Sequence, residues 1–209
     1  NDTGTIVYDE ILLPDTEISY YGQAVVWVAG ETDEVARLGA EKVVVEYEPL
    51  EPILTIKDAI AADSFHLKPR VIKRGDPATA LQQVNCYLEG EMAMNGQDHF
   101  YLETHASWVI PDGEGNYQVY ASTQHPTETQ IVVSRVLGIT KNQVVVTCIR
   151  MGGGFGGKES QANPFAGVAA IAACKTGRPV RVKLKRHHDM ILTGKRHGFL
   201  GQYKVGFTN

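Results

Sequence analysis

Cysteine is scarce and odd in number: Cys86, Cys148 and Cys174 are the three in 209 residues. Far apart and unpaired in number, they exclude a dense disulfide framework. They fit reduced thiols in an intracellular protein and are expected to be small buried apolar side chains. No two lie within metal-clip spacing, which excludes a zinc site or an iron–sulfur cluster built from this stretch. Long apolar runs are missing too, none approaching the ~20 residues of a membrane span. The chain opens with Asn1-Asp2-Thr3-Gly4, which is neither an initiator Met nor a basic, apolar signal segment. Basic clustering is equally poor. The formal net charge is −4 and the longest cationic stretch is Lys183-Leu184-Lys185-Arg186, so neither nucleic acid nor a membrane is an expected partner.

With 43% hydrophobic and 21% charged residues, the chain has the composition of a folded domain. Its punctuation predicts two regions. Residues 1–62 read as a small α+β unit, with β-branched strands at 5–13, 24–29 and 42–47, a capped helix over 32–40 and a short helix starting near Thr55. A connecting segment over 63–84 follows, marked by Pro69 and Gly75-Asp76-Pro77. Residues 85–209 then read as a second α+β unit. Strands are expected at 86–94, 104–110, 117–121, 143–149 and 180–184, and helices at 126–137, stopped by Gly138, and at 159–175, ended by Gly177 and Pro179. Residues 199–207 alternate like a strand that meets no later turn or partner. The chain therefore looks cut from a longer polypeptide, with hydrophobic surface expected at that end.

The strongest local feature is Met151-Gly152-Gly153-Gly154-Phe155-Gly156-Gly157-Lys158-Glu159, with five glycines in six positions at a strand-to-helix turn. Such density means that the backbone approaches something closely or adopts positive φ. Exposed N–H groups there suit anions or oxo groups, although a tight packing turn explains the same glycines. A dinucleotide fingerprint matches only because nearly every position is glycine. A phosphate loop requires Ser or Thr after its lysine, where this chain has Glu159.

This loop closely resembles the molybdopterin-site loop of the xanthine dehydrogenase/aldehyde oxidase family of molybdenum hydroxylases. Further matches follow in order: residues 96–105 (Gly-Gln-Asp-His-Phe-Tyr-Leu-Glu-Thr-His), Ser122-Thr123-Gln124, residues 175–181 (Lys-Thr-Gly-Arg-Pro-Val-Arg), Asp189-Met190, and Gly194-Lys195-Arg196-His197. The first region, with Tyr21-Gly22-Gln23 and Val45-Glu46-Tyr47-Glu48, resembles the end of that family's α/β hammerhead domain. The second resembles the first part of its molybdopterin-binding α+β domain.

The resemblance implies that Gln124 hydrogen-bonds the apical oxo group of molybdenum. It also implies that Phe155 and Gly156 present backbone and ring to the metal centre, while Gly153 and Gly154 let the chain approach the pterin. Read alone, Gln124 is an ordinary loop residue and Phe155 a core aromatic. Glu159 matches the carboxylate that faces the purine in xanthine dehydrogenases, where aldehyde oxidases tend to carry an apolar residue. Its plain alternative is a helix-dipole partner in a first helical turn, worth under ~1 kcal/mol. His99, His105, His187 and His188 are read as structural or surface residues, with no third ligand evident for a metal. Asp98 stands where the family usually has Glu, and Gly198 where it usually has Pro. The family's glutamate base, its arginine and its stacking phenylalanines lie downstream, so no catalytic residue is assigned here and the chain alone is expected to be inactive.

What the resemblance implies for an intact parent is a cytoplasmic homodimer that oxidises hypoxanthine and xanthine with water-derived oxygen. Electrons would pass to [2Fe-2S] clusters and FAD on other domains or subunits. Two further readings remain open: an aldehyde oxidase of the same family, and a non-catalytic fragment or paralogue lacking cofactor.

Overall fold

The computed structural model of the chain describes residues 1–208. It divides into two units, one formed by residues 1–45 with 98–195, the other by 46–97 with the residues from 196 on.

The first unit is built on a four-stranded sheet of β2 (Ala106–Pro111), β3 (Tyr117–Ala121), β4 (Val144–Thr147) and β5 (Val180–Lys183), in the order β4-β3-β2-β5. The hairpin β2–β3 turns at Asp112, whose carboxylate accepts from the amides of Glu114 and Asn116 at 2.8 and 3.0 Å. β3 and β4 run parallel, which requires a crossover. Helix α4 (Pro126–Leu137) supplies it, with proline in its first turn and Gly138 in the left-handed conformation at its end. Helix α5 (Asn163–Thr176) lies beside α4 and stops at left-handed Gly177. Its alanines are small enough to let the helix settle against the valines of the sheet. Val109, Val119, Val133, Val144, Ala166, Ala169, Ala170 and Ala173 form the core.

Residues 1–45 pack onto this core without forming a sheet. Arg135 donates to the carbonyls of Asp2 and Gly4 at 3.2 and 2.6 Å, and Trp27 meets Phe165 edge-on. Helix α1 (Asp33–Ala40) forms as expected, its N-cap Thr32 accepting from the Val35 amide at 3.2 Å. The strands expected at 5–13, 24–29 and 42–47 are corrected. Among the described residues only an isolated bridge between Asp2 and Ile11 pairs any of them. A β-branched run becomes a strand only when a neighbour satisfies its backbone.

In the second unit, α2 (Ile56–Ala61) is capped by Thr55 and α3 (Pro77–Gln82) starts at a proline inside the expected connecting segment. Strand β1 (Cys86–Met94) pairs antiparallel with β6 (Phe199–Phe207) along their full nine residues. The expectation that 199–207 lacks a partner strand is therefore wrong: the partner lies upstream, at a separation that local patterning does not register. None of this unit's described residues is fully buried, and Leu54, Val71 and Ile72 are strongly exposed. The three cysteines are also less buried than expected: Cys174 is exposed, and Cys86 and Cys148 are half-buried. No helix among the described residues is long and apolar enough to cross a membrane.

Helix α6 (Arg186–Leu192) carries Asp189, only 2% exposed. Its Oδ1 accepts from the Tyr101 hydroxyl at 2.6 Å, and its Oδ2 accepts from the His105 amide at 2.6 Å and faces His105 Nδ1 at 3.0 Å. Burial pushes this carboxyl up, but the bonds from His105 and Tyr101 outweigh it and hold it at about 2, below the ordinary 3.8. A carboxyl whose folded value lies below its unfolded one stabilises fully above the unfolded value and loses that stabilisation as the pH falls toward the folded one. Here the window runs from pH 3.8 down to about 2, and the amount at stake is about 2 kcal/mol. Asp189→Asn should destabilise this chain at pH 7 by roughly 2–4 kcal/mol, because an amide cannot satisfy all these donors. It should also flatten the loss of stability between pH 5 and pH 2.5. Urea midpoints for both proteins at the two pH values measure this; an unchanged pH dependence in the variant contradicts it.

Candidate functional site

Parallel pairing brings the carboxyl ends of β3 and β4 side by side, so the loops that follow them emerge at one end of the sheet. In open α/β sheets this end, at a crossover, is where ligands bind. The first loop holds Ser122, Thr123 and Gln124, and the second is the glycine run. They are joined directly. The Gln124 amide donates to the Lys158 carbonyl at 2.9 Å. In return, Gln124 Oε1 accepts from the amides of Gly156 and Lys158, both at 3.1 Å. Two donors on one oxygen fix which way the side-chain amide faces. Its Nε2, a donor with two hydrogens, has no hydrogen bond among the described residues.

The glycines are required by this approach. A Cβ on Gly154 would lie 2.6 Å from Gln124 Oε1 and 2.7 Å from its Cδ. On Gly152 it would meet Glu103 Cβ at 2.6 Å, and on Gly157 the His99 ring at 2.7 Å. Phe155 has φ +51° without being glycine, and the residue is 76% exposed rather than in the core. Such a conformation costs of order 1–3 kcal/mol and persists only where the surroundings impose it. The amides of Gly153, Gly154 and Phe155 donate no hydrogen bond among the described residues, although Gly154 is buried.

What imposes the loop is Lys158, whose side chain is fully buried. Its three ammonium hydrogens match three oxygens: the Glu103 carbonyl at 2.7 Å, Glu103 Oε2 at 3.2 Å and Ser122 Oγ at 2.8 Å. The Tyr101 ring lies 4.6 Å below the nitrogen. Glu103 Oε2 also accepts from Ser122 Oγ at 2.7 Å and from the Gly152 amide at 2.8 Å, so it grips the start of the loop while Lys158 grips its end. Burial draws the Lys158 ammonium below the ordinary lysine value, with Glu103 opposing that effect. Burial also raises Glu103, but the Gly152 amide, Ser122 and Lys158 together hold its carboxyl below the usual range.

Glu159 is exposed and its carboxylate has no partner among the described residues. It is not in a helix. α5 begins at Asn163, four residues later than expected, so a helix-dipole role for Glu159 in a first turn is removed. Nor do the histidines form a metal cluster: no group of His, Cys, Asp and Glu among the described residues is arranged to hold an ion. His105 is buried in the Asp189 network, and His187 and His188 sit side by side in α6. Lys158, Glu103 and Ser122 were not singled out from sequence. A lysine after a glycine run reads as a phosphate ligand, and only its burial shows that it points away, into the protein.

The class defined by this geometry is an α+β domain that presents hydrogen-bond donors from a glycine cradle to acceptor atoms of a bound group. Residues 62–209 match the molybdopterin cofactor-binding domain family, and the chain belongs to that family. It is 44% identical over 208 residues to the xanthine dehydrogenase/oxidase of Gallus gallus, covering 99% of this chain and 15% of that protein. It is 43% identical over 200 residues to aldehyde oxidase 2 of Macaca fascicularis, covering 95% of this chain and 15% of that protein. The chain thus spans under a sixth of these relatives' length. Among solved structures, the aldehyde oxidoreductase from Desulfovibrio desulfuricans matches 97% of this chain and 23% of that one, with TM-score 0.82 and 22% identity. Quinoline 2-oxidoreductase from Pseudomonas putida 86 matches 85% of this chain and 24% of that one, with TM-score 0.75 and 19% identity. The residues present fit a molybdenum–molybdopterin group: a free Nε2 donor, unpartnered loop amides and a backbone stripped of Cβ atoms suit an oxygen-rich, anionic ligand.

The three nearest atoms that a Cβ on Gly154 would meet all belong to the Gln124 side chain. Gly154→Ala should therefore destabilise the chain by about 1–3 kcal/mol by displacing that amide, and should cost at least about 0.5 kcal/mol less when Gln124 is already alanine. A double-mutant cycle of unfolding free energies measures this; additive losses would mean that the glycine is needed for something other than Gln124.

Proposed function

We propose that this chain is the cofactor-holding segment of a xanthine dehydrogenase, a cytoplasmic homodimer that hydroxylates hypoxanthine and xanthine with water-derived oxygen. Its electrons would leave through [2Fe-2S] clusters and FAD held on other domains or subunits. The observation that carries the reading is Gln124, whose Oε1 is locked by the Gly156 and Lys158 amides while Nε2 has no acceptor among the described residues. When bound, the molybdenum–molybdopterin group supplies the redox and oxygen-transfer chemistry, and the protein positions and polarises. Gln124 Nε2 would donate to an oxygen of the group. Gly153, Gly154, Phe155 and Gly156 would hold it with backbone and ring, Gln124 and Phe155 serving the metal centre. The glutamate base belongs to chain outside this sequence. Residues 1–62 are assigned to the end of an α/β hammerhead domain, 63–84 to a connection and 85–209 to the cofactor domain. The start of the family match at residue 62 supports the first of these boundaries, and the match itself runs on through 63–84. The strands of such a hammerhead would need pairing partners from outside this chain.

Relatives named for xanthine and for aldehyde oxidation match the chain about equally, at 44% and 43% identity. What favours xanthine is Glu159, an exposed carboxylate with no partner among the described residues. It can accept from a purine N–H or, protonated, donate to a ring nitrogen. An aldehyde offers it neither. In the full-length enzyme, Glu159→Val should lower kcat/KM for xanthine by about two to three decades, as for ~3–4 kcal/mol of transition-state interaction, and leave an aromatic aldehyde unaffected or improved. Steady-state kinetics normalised to molybdenum content distinguish the roles, and parallel losses on both substrates would refute the assignment. In the same enzyme, Gln124→Ala should slow reduction of the loaded enzyme by roughly ten- to a hundredfold, the effect of a hydrogen bond of ~1.5–3 kcal/mol made in the transition state. Rapid-mixing kinetics at normal metal content test this, and an unchanged rate would remove Gln124 from the chemistry.

A further inference from the structure

Gln124 does not hold itself in place. Its acceptor oxygen is met by two backbone amides, and one of them belongs to Lys158. The Lys158 carbonyl receives the Gln124 amide in return, and more weakly the Thr123 hydroxyl at 3.4 Å. The position of the Lys158 backbone, through its N–H and its carbonyl, therefore decides where the glutamine sits. The side chain of the same residue is the only fully buried ammonium among the described lysines, and none of its hydrogen bonds reaches solvent or the loop's open face. Both of its partners, Glu103 and Ser122, lie at strand ends: Glu103 just before β2 and Ser122 just after β3. The ammonium thus ties the glycine loop to the rigid sheet, and Glu103 repeats the tie at Gly152.

We propose that Lys158 and Glu103 are positioning residues: the ion pair of the buried ammonium with the partly exposed Glu103 carboxylate clamps both ends of the glycine loop and so orients the Gln124 amide toward the cofactor, a role that rests on the reading of Gln124 given above. The ammonium touches no substrate and no cofactor. A clamp of this kind acts through Gln124, so removing it should matter only while Gln124 is present.

The test uses the full-length enzyme with Lys158→Met, a neutral side chain of similar length, alone and combined with Gln124→Ala. Lys158→Met is expected to lower kcat about tenfold with KM changed by less than about twofold, in protein that keeps its molybdenum and pterin content. The same change added to Gln124→Ala should lower kcat by less than about twofold. The Mo(V) electron paramagnetic resonance spectrum should shift in Lys158→Met in the same sense as in Gln124→Ala. If Lys158→Met does not accumulate as folded protein, Glu103→Gln, which retains the backbone carbonyl and Ser122 as acceptors, is judged by the same readouts. Full additivity with Gln124→Ala, or a wild-type spectrum and kcat in the folded variant, overturns the proposal. An inert Gln124→Ala would instead overturn the reading on which it rests, leaving the two failures distinguishable.

Discussion

A single buried ammonium holds the site in shape. Placing Lys158 out of water is costly unless every N–H finds an acceptor, and an unpaired charge there would be untenable. The three oxygens around it come from two segments, the stretch before β2 and the end of β3, so satisfying the charge forces both segments and the glycine loop into one arrangement. The requirement is stricter than apolar packing, which tolerates small shifts. Hydrogen bonds to a desolvated charge are directional, and the loss of any one leaves a large penalty uncompensated. The rest of the site inherits its geometry from this constraint. Gln124 is fixed by the lysine's own peptide, and the glycine loop is fixed where it begins and where it ends.

The sheet makes that arrangement reachable. Because β3 and β4 are parallel neighbours, the chain leaves both strands in the same direction and returns through α4 and α5 behind them. The two helices are locked to each other under the loops by a second polar chain. Thr129 in α4 donates to Asn163 Oδ1 at 2.8 Å, and Asn163 donates to Glu128 at 3.0 Å. A third, the Tyr101–Asp189–His105 cluster, holds the segment that carries Glu103. Polar networks of this density inside a small core are expensive to form and rigid once satisfied. Rigidity is what a hydrogen-bond donor aimed at a bound group requires.

The second region was largely legible in the sequence because its signals are local. Tyr117–Ala121 and Pro126–Leu137 fall where alternation, the proline and Gly138 place them. Thr32 and Thr55 marked their helices for the same reason, since a capping hydroxyl acts on an amide only three residues away. What was not legible depends on distant chain. Residues 5–13 and 42–47 have strand composition, but the described pairing is a single isolated bridge, from Ile11 to Asp2, and the partner of 199–207 lies more than a hundred residues upstream. At the site, the glycine run, Gln124 and Glu159 stood out because the residue types themselves are unusual or match a motif. Lys158 did not, because the same lysine serves as a phosphate ligand when exposed and as an anchor when buried, and burial is decided by Glu103 and Ser122, 55 and 36 residues away.

Phe155 shows where the cost of this design falls. Flanked by glycines that take left-handed backbone freely, it takes the same conformation with a side chain attached and leaves its ring in the open. A free loop would relax away from that geometry. This one cannot, because Gly152 on one side and Gly156 and Lys158 on the other are held by Glu103 and Gln124. The clamp thus does two things at once: it aims the glutamine and it holds Phe155 with Gly153 and Gly154, whose amides donate no hydrogen bond among the described residues. The backbone cost at Phe155 is borne by the protein alone, and it is offset if a ligand accepts hydrogen bonds from these amides and packs against the exposed ring. Binding energy is then gained at a site that has been organised beforehand by the buried Lys158 ammonium and the oxygens that hold it.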